Sequence, residues 1–397
     1  MDEKKKKQLG IIIPVVLAVI VVCGFAVSGH ITKNFDKEMP TAETTAAETT
    51  EETTVASAKV NLVAVGDNLI HNTLIAAGEK EDGTLDYNSF YENIKADISA
   101  ADVAVINQET MLGGSQFPYA GYPCFNTPWE VGDAAIAAGF DIFTCATNHS
   151  LDVSKFAGIE QECKYFSQHP EVLHIGTYAS EADSKEIAYY ESNGIKFALL
   201  NYTYGTNGIP LPEGKEWCTN MMDKDKITAD VTAARQNADV VIVFPHWGTE
   251  NSTSVSDYQR EFVDLFLSLG VDIVIGTHPH VLQTVEWVTD EASGRKMLVY
   301  YSLGNFISHQ TSLNQLCGGM AQITIEKNNG EISITNAKLM PVCCWYSSSN
   351  GKYKFSVYRI SDYTEELGNS HKQSGATPEY FEDYARDIIP EEFLNLG

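Results

Sequence analysis

The sequence predicts an α/β fold in which two packed β-sheets carry helices on their outer faces. From Lys59 onward, strand-like and helix-like segments alternate, which is typical of a largely parallel sheet. After His280 the segments are almost all strand-like, so a second block of strands completes the fold. Several strand-like runs also end in clusters of Asp, Glu, Asn and His, which indicates one polar site at the edge of a sheet.

The N-terminal segment, residues 1–30, is predicted to be a membrane module. Four consecutive lysines, Lys4 to Lys7, precede the uncharged and largely apolar residues 9–27, a run about long enough to cross a bilayer. We expect one transmembrane helix, with the N-terminus in the cytoplasm and the folded domain extracellular at the cell membrane. A cleaved signal peptide ending near Ser28 stays open as the alternative.

Residues 31–58 are predicted to be a disordered linker. Within them, residues 41–54 read TAETTAAETTEETT, a low-complexity stretch with too few apolar side chains to form a core. We expect one folded domain over residues 59–345 and a C-terminal extension over residues 346–397, to which the sequence assigns no role.

Composition narrows the class of protein. The formal net charge of −26 argues against nucleic-acid binding, because phosphate contacts require Lys and Arg. An acidic surface suits an extracellular domain or one that handles cations.

The eight cysteines include no CxxC pair, which argues against a structural zinc site. An extracellular domain can form disulfides, but spacing alone gives no connectivity.

The elements follow from apolar periodicity and from the residues that end each run. Gly139 and Gly270 end helices, and Asn193-Gly194 favours a hairpin turn. The predicted helices are residues 88–101, 129–138, 155–168, 223–237, 256–269 and 378–389. The predicted strands are residues 60–65, 103–106, 142–145, 172–175, 187–191, 195–201, 240–244, 271–275, 281–288, 297–301, 321–326 and 332–339.

Five of these strand-like runs end in polar clusters, and the one after residues 271–275 is the most informative. There Pro279 separates two histidines, His278 and His280, in a turn just past a buried strand. The clusters together contain Asp67, His71, Glu109, Asn148, His149, Asp152, His246, Glu250, His278 and His280. Because carboxylates and imidazoles suit divalent metals, the sequence predicts one shared metal site at a sheet edge.

Six short blocks make the interpretation more specific. In chain order they are GDNLIH, NQET, TNHSLD, PHWGTE, GTHPHVLQ and YSLGNF, within residues 60–306. This series resembles the CapA family of poly-γ-glutamate capsule synthesis proteins. That family is similar to calcineurin-like metallophosphoesterases, so the resemblance implies a two-sheet α/β sandwich of metallophosphoesterase type with a two-metal centre. The strand pattern, which is independent of the blocks, agrees with this fold.

The resemblance also implies roles for individual residues. The implied ligands of divalent ions, with Mn, Zn and Fe as candidates, are Asp67, Glu109, Asn148, His246, His278 and His280. His149 is implied to act as the acid that protonates a leaving group. Independently of the resemblance, the residues that could surround the ligands are His71, Asp152, Glu250, Gln283 and Asn305. Capping is an equal alternative for His71, Asp152 and Glu250, and a turn after the strand is the alternative for Asn305.

Two departures from the phosphoesterase pattern bear on metal number and activity. Those enzymes place a histidine two residues after the first aspartate, whereas this chain has Leu69 there and His71 two residues later. Glu109 also stands where they place a bridging aspartate. Phosphoesterase activity therefore does not follow from the resemblance.

Three functions fit the sequence. The first is a membrane-anchored, extracytoplasmic protein that takes part in synthesis, export or attachment of a capsular polymer such as poly-γ-glutamate. The second is a metal-dependent hydrolase of phosphoester or amide bonds at the cell surface, and the third is a non-catalytic scaffold of a membrane synthase complex. Expected partners are the membrane, membrane subunits of a polymer synthase and an anionic polymer. The acidic surface repels such a polymer unless metals or a local basic groove intervene.

The lysine run and residues 9–27 predict the topology of the chain. Protease added to intact protoplasts should remove the folded domain, because everything after about Lys33 is expected outside the cytoplasm. Immunoblotting of cells and medium measures the result. Full protection of the domain would contradict this topology, whereas release of the domain into the medium without protease would favour the cleaved signal peptide.

Overall fold

The computed structural model describes residues 57–397 of the 397-residue chain. The expected transmembrane segment, residues 9–27, and the Thr/Glu-rich stretch, residues 41–54, lie outside the described residues. Within residues 57–397, no helix is both long and apolar enough to cross a membrane.

Fourteen strands form two sheets in the described part of the chain. They are β1 (Ala58–Asn68), β2 (Val103–Asn107), β3 (Ile142–Thr144), β4 (Leu173–Ile175), β5 (Ala188–Ser192), β6 (Ile195–Thr203), β7 (Val240–His246), β8 (Ile273–Ile275), β9 (Val285–Thr289), β10 (Lys296–Tyr300), β11 (Asn305–Ile307), β12 (Cys317–Asn328), β13 (Glu331–Ser349) and β14 (Lys352–Arg359). The first sheet has the order β14-β13-β12-β1-β2-β3-β4, with β11 paired to β1. The second has the order β5-β6-β7-β8-β10-β9.

Each sheet contains a run of parallel strands. Strands β1 to β4 run parallel to one another, and so do β6, β7, β8 and β10. Antiparallel strands flank them, with β12 to β14 on one side of the first sheet and β5 and β9 at the edges of the second. Because parallel strands share one direction, their carboxyl ends meet at a common edge.

Eight helices connect and cover the sheets in residues 57–397. They are α1 (Asn72–Ala77), α2 (Lys95–Ser99), α3 (Trp129–Ala138), α4 (Phe156–Ser167), α5 (Lys224–Arg235), α6 (Asp257–Leu269), α7 (Glu365–Ser370) and α8 (Pro378–Ile388). Helix α6 begins with a capping box between Ser256 and Gln259 and ends at Gly270, which has a φ of 90°. The ends of this helix therefore follow from its own sequence.

The main hydrophobic core lies between the sheets. It joins buried side chains of the first sheet, such as Leu62, to those of the second, such as Ile242 and Leu298. The other face of the second sheet packs against α5 and α6, where Val231 and Phe266 are buried. This arrangement confirms the predicted α/β fold of two packed sheets with helices outside.

The structure differs from the sequence-based elements at several places. The helix predicted over residues 88–101 is divided into a 3₁₀ turn, Asn88–Phe90, and the short α2. The Asp86 carboxylate accepts hydrogen bonds from the backbone and side chain of Asn88, which favours a turn at that point. The boundary predicted at residue 345 falls inside β13, and β14 then extends the same sheet.

Glu162, buried in α4, joins two loops at the carboxyl edge of the first sheet. Its carboxylate accepts hydrogen bonds from the backbone N–H of Leu112 at 3.2 Å and from the Thr177 hydroxyl at 2.8 Å. Burial nevertheless raises the pKa of Glu162 from 4.5 to about 7. The loop that carries Glu109 is therefore held by the Glu162 carboxyl group, whose ionised form is destabilised by burial.

Because the folded state holds this proton more tightly than the unfolded chain, stability should fall as pH rises from 4.5 through about 7. The loss at higher pH is about 3 kcal/mol from the pKa difference. Glu162→Gln removes this ionisation, so the variant should gain stability relative to the wild type between about pH 5 and about pH 8. Urea unfolding with chelator present measures the effect.

Glu160→Gln, at an exposed position of the same helix, is the matched control and should follow the wild type at both pH values. An equal pH dependence of Glu162→Gln and the wild type would contradict the assignment.

Candidate metal centre

The carboxyl ends of β1, β2, β7 and β8 bring the predicted ligands together. Three groups of side chains have ligand atoms within 4.8 Å of one another. They are Asp67, Glu109 and His280; Glu109, His246 and His278; and Glu250, His278 and His280. Two of the groups share Glu109, and the residues come from both sheets although more than half of the chain separates the first from the last.

Glu109 lies at the centre of this cluster and is 1 % exposed. Neither of its carboxylate oxygens has a hydrogen-bond partner within the described residues. Its Oε1 lies 3.9, 3.8 and 3.7 Å from the Nε2 atoms of His149, His246 and His280, too far for hydrogen bonds. Two atoms that bind one ion at about 2.0–2.2 Å lie at most about 4.4 Å apart, so the spacings from Glu109 to His246 and to His280 fit shared cations. His149 belongs to none of the three groups.

Asp67, at the end of β1, orients the histidine loop. Its Oδ1 accepts hydrogen bonds from the Asn107 side chain at 2.8 Å and from the backbone N–H of His278 at 3.4 Å. Its Oδ2 lies 3.0 Å from Nδ1 of His280, which also lies 3.1 Å from Oδ1 of Asn305. With Nδ1 held in this way, Nε2 of His280 faces Glu109.

The loop after β8 turns two imidazoles into the site through an unusual backbone. His278 and His280 have φ values of 97° and 60°, in the left-handed region that non-glycine residues rarely adopt. Such conformations cost about 1–3 kcal/mol each and persist only where the surroundings fix them. Here the backbone N–H of Asn251 donates to the Pro279 carbonyl at 2.8 Å. Nδ1 of His278 is buried and has no partner within residues 57–397, which leaves it free to bind a metal.

His246 is the last residue of β7 and contacts the loop after β8 and the loop after β3. Its Nδ1 pairs with the Thr277 hydroxyl at 3.0 Å, and its Nε2 lies 2.8 Å from Oδ1 of Asn148. Asn148 and His246 therefore direct polar atoms at one point.

His149 sits beside the cluster in an arrangement suited to proton transfer. Its Nδ1 lies 2.6 Å from Oδ2 of Asp152, and the Phe125 ring packs edge-on at a centroid distance of 4.7 Å. Asp152 is itself fixed, because Oδ2 also accepts from the backbone N–H of Phe125 at 2.8 Å. His149 thus presents Nε2 to the centre with its ring orientation locked.

The electrostatics of the cluster also suit a cation. Burial, reinforced by the neighbouring histidines, lowers the pKa of His246, and it lowers that of His278 to about 3, so both imidazoles are neutral. Burial raises the pKa of Glu109 well above its usual range, and the carboxylate of Asp67 adds to this effect. Although burial opposes it, the carboxylates of Glu109 and Asp67 raise the pKa of His280 to about 9. Protons are therefore held where a divalent ion would bind.

The remaining predicted residues occupy different surroundings. Glu250 is exposed and reaches the group that contains His278 and His280. His71 belongs to none of the three groups; its Nδ1 lies 3.1 Å from the Leu69 carbonyl. Gln283 donates to the carbonyls of Ser252 and Ser254 and accepts from Gln259, so it fixes the loop between β7 and α6.

Three site residues were not singled out from the sequence. Tyr204 and Asn207 follow β6; the Tyr204 ring lies 4.4 Å from the His278 ring, and the Asn207 side-chain amide contacts both Asn148 and His149. Thr277 holds His246. The signal that points to the first two is the polar run YGTNG, which makes β6 a sixth strand that ends in polar residues.

Fold and cluster together define an α/β protein with a candidate divalent-metal centre at the carboxyl edge of its sheets. Residues 61–310 match the family model "Bacterial capsule synthesis protein PGA_cap". Since this range covers more than half of the chain, the protein belongs to that family. The resemblance inferred from the six sequence blocks is confirmed.

Two curated relatives carry CapA names. Over 204 residues the chain is 27% identical to "PGA biosynthesis protein CapA" of Bacillus subtilis (strain 168), covering 49% of this chain and 50% of the relative. Over 185 residues it is 29% identical to "Capsule biosynthesis protein CapA" of Bacillus anthracis, covering 46% and 43%. The matched segment thus spans about half the length of these relatives.

Among solved structures, the calcineurin-like phosphoesterase YfkN from Bacillus subtilis is similar over 84% of this chain and 98% of its own. The identity is 11% and the TM-score is 0.40.

Loss of a histidine ligand should lower metal content more than it disturbs the fold. His246→Ala and His280→Ala should each weaken divalent-metal binding by at least the roughly 10–100-fold that a lost supporting contact costs. Both should also lose most of the rise in melting temperature that added metal gives, because that rise comes from binding to the native state. Elemental analysis and thermal melting measure the two effects.

His169→Ala is the matched control, since His169 lies outside the cluster and pairs with Glu171 and Asp133. Wild-type protein without affinity for divalent metals, or full retention of metal by both ligand variants, would refute the metal centre.

Proposed function

We propose that this protein takes part in the synthesis, export or attachment of a capsular polymer such as poly-γ-glutamate, and that its metal centre acts on bonds of that polymer. The observation that carries the proposal is the buried, unpartnered carboxylate of Glu109 within reach of three histidines. Membership of the capsule synthesis family and the printed names of the two relatives support the polymer class.

The residues that would hold divalent ions are Asp67, Glu109, Asn148, His246, His278 and His280. Such ions polarise an acyl or phosphoryl oxygen and lower the pKa of bound water. Glu109 is placed to neutralise part of their charge. Asp67 and Thr277 fix the rings of His280 and His246, so that little reorganisation accompanies binding.

His149 is the residue that would move a proton. Asp152 holds its Nδ1, and Nε2 faces the cluster, so His149 can deliver a proton to a leaving amine or alcohol. The Phe125 ring covers one side of the imidazole, which limits its access to water. The pair of His149 and Asp152 favours hydrolysis or transfer at an amide or phosphoester bond. A purely structural scaffold would not need such a pair.

Location and partners form part of the same proposal. The lysine run and residues 9–27 support a membrane anchor with the folded domain on the outer face of the membrane. A polymer synthase in that membrane would then be the expected partner, since the polymer must pass the domain as it leaves the cell.

Turnover of a γ-linked glutamate oligomer and of a model phosphoester by metal-loaded protein tests this function. We expect cleavage of at least one of them, with full loss of rate in chelator. His149→Ala should lower kcat by roughly 10²–10⁴-fold while metal content stays at the wild-type value, because the side chain supplies a proton and not a ligand.

The control His169→Ala should keep the wild-type rate. In cells that lack the protein, His280→Ala should fail to restore capsule whereas His169→Ala should restore it. Metal-loaded, folded protein that cleaves neither compound would favour the scaffold, and capsule restored by His280→Ala would refute a role for the metal centre.

A further inference from the structure

A cavity lies at the edge of the second sheet opposite the metal centre. It has a volume of about 560 Å³ and opens where β7 and β8 begin. Its lining includes Arg235, Asp272, Trp287, Arg295, Lys296 and Ile334. Strand β7 runs from Val240 at this cavity to His246 at the metal centre, a separation of about 20 Å at the usual rise per residue.

The walls of the cavity carry an excess of positive charge. Asp272 is shared by two guanidinium groups, with Nη1 of Arg235 at 2.6 Å from one oxygen and Nη2 of Arg295 at 2.8 Å from the other. Asp239, also in the lining, is paired with Lys327 at 2.8 Å. Lys296 is exposed and has no ion pair within residues 57–397. The lining thus holds three cations, Arg235, Arg295 and Lys296, against two carboxylates, and one of these carboxylates is also paired with Lys327.

This local excess stands out because the whole chain has a formal net charge of −26. A polyanion is repelled by most of the surface, and a cationic cavity is where its local concentration rises. Guanidinium groups also match carboxylates in geometry, since their paired N–H groups fit two oxygens. The Nε atom of Arg295 is buried and has no hydrogen-bond partner within the described residues.

One wall of the same cavity is apolar. Trp287 and the partly buried Ile332 and Ile334 line it. A small inorganic anion would gain nothing from this wall, and a nucleic acid would need a longer basic surface. In a polymer in which short methylene segments alternate with carboxylates, the carboxylates can contact the cationic wall and the methylene groups can contact the apolar wall.

We propose that this cavity binds the acidic capsular polymer through its carboxylates, at a distance from the metal centre, as a separate holding site. The inference rests on the proposed function for the polymer class, but the site itself follows from the charges and the cavity. A polymer held here would remain attached to the protein while another segment of the same polymer reaches the metal centre.

Isothermal titration of full-length protein with a short γ-linked glutamate oligomer, in the presence of chelator, tests the proposal. We expect binding without metal, weaker at high salt because exposed charges are screened. Lys296→Glu should weaken it about tenfold or more, since a charge-assisted contact becomes a repulsion. A polyglutamine peptide of equal length should not bind.

Lys352→Glu is the matched control, because Lys352 is also an exposed first residue of a strand and makes the same change in net charge. It should bind the oligomer like the wild type. Equal binding by both variants, or no binding by the wild type in chelator, would overturn the holding site. Cleavage of the same oligomer by metal-loaded protein is measured in parallel, so loss of the holding site alone is distinguishable from failure of the proposed function.

Discussion

A buried carboxylate without hydrogen-bond partners is the constraint on which the site depends. Glu109 is 1 % exposed, and no described group donates a hydrogen bond to either oxygen. An isolated carboxylate in such surroundings carries a large desolvation cost, and it stays buried only if it is protonated or a cation is near. The surrounding imidazoles at 3.7–3.9 Å leave space for that cation. Metal binding and loss of protons from the cluster are therefore coupled.

The imidazoles can face Glu109 because a neighbour holds each ring by its other nitrogen. Asp67 holds His280, Thr277 holds His246, and Asp152 holds His149, at distances from 2.6 to 3.0 Å. These supporting groups come from strand ends or from loops next to them, so the packing of the two sheets sets the geometry. The left-handed backbone at His278 and His280 is stable for the same reason: Asp67 contacts both residues.

Much of this arrangement could be predicted because parallel strands end at one edge. The polar residues after the strand-like runs identified Asp67, Glu109 and His246 as neighbours, and the family blocks gave them roles that remain predictions. Thr277 could not be identified from the sequence, because a threonine commonly follows a strand whether or not its hydroxyl pairs with a histidine. The break in the helix predicted over residues 88–101 was equally hidden, since both parts keep a helical apolar period.

The two edges of the second sheet have opposite electrostatic character. Salt concentration and metal supply should therefore act on different edges. At the carboxyl edge, the carboxylates and the neutral imidazole of His278 favour cations and would repel an acidic polymer. At the amino edge, the excess of Arg and Lys would attract an acidic polymer without any metal. Exposed charges are screened over about 8 Å at physiological ionic strength, whereas direct ligation is screened much less. We therefore expect salt to act mainly on the amino edge and metal supply mainly on the carboxyl edge. A polymer that contacted both edges would respond to each of them independently.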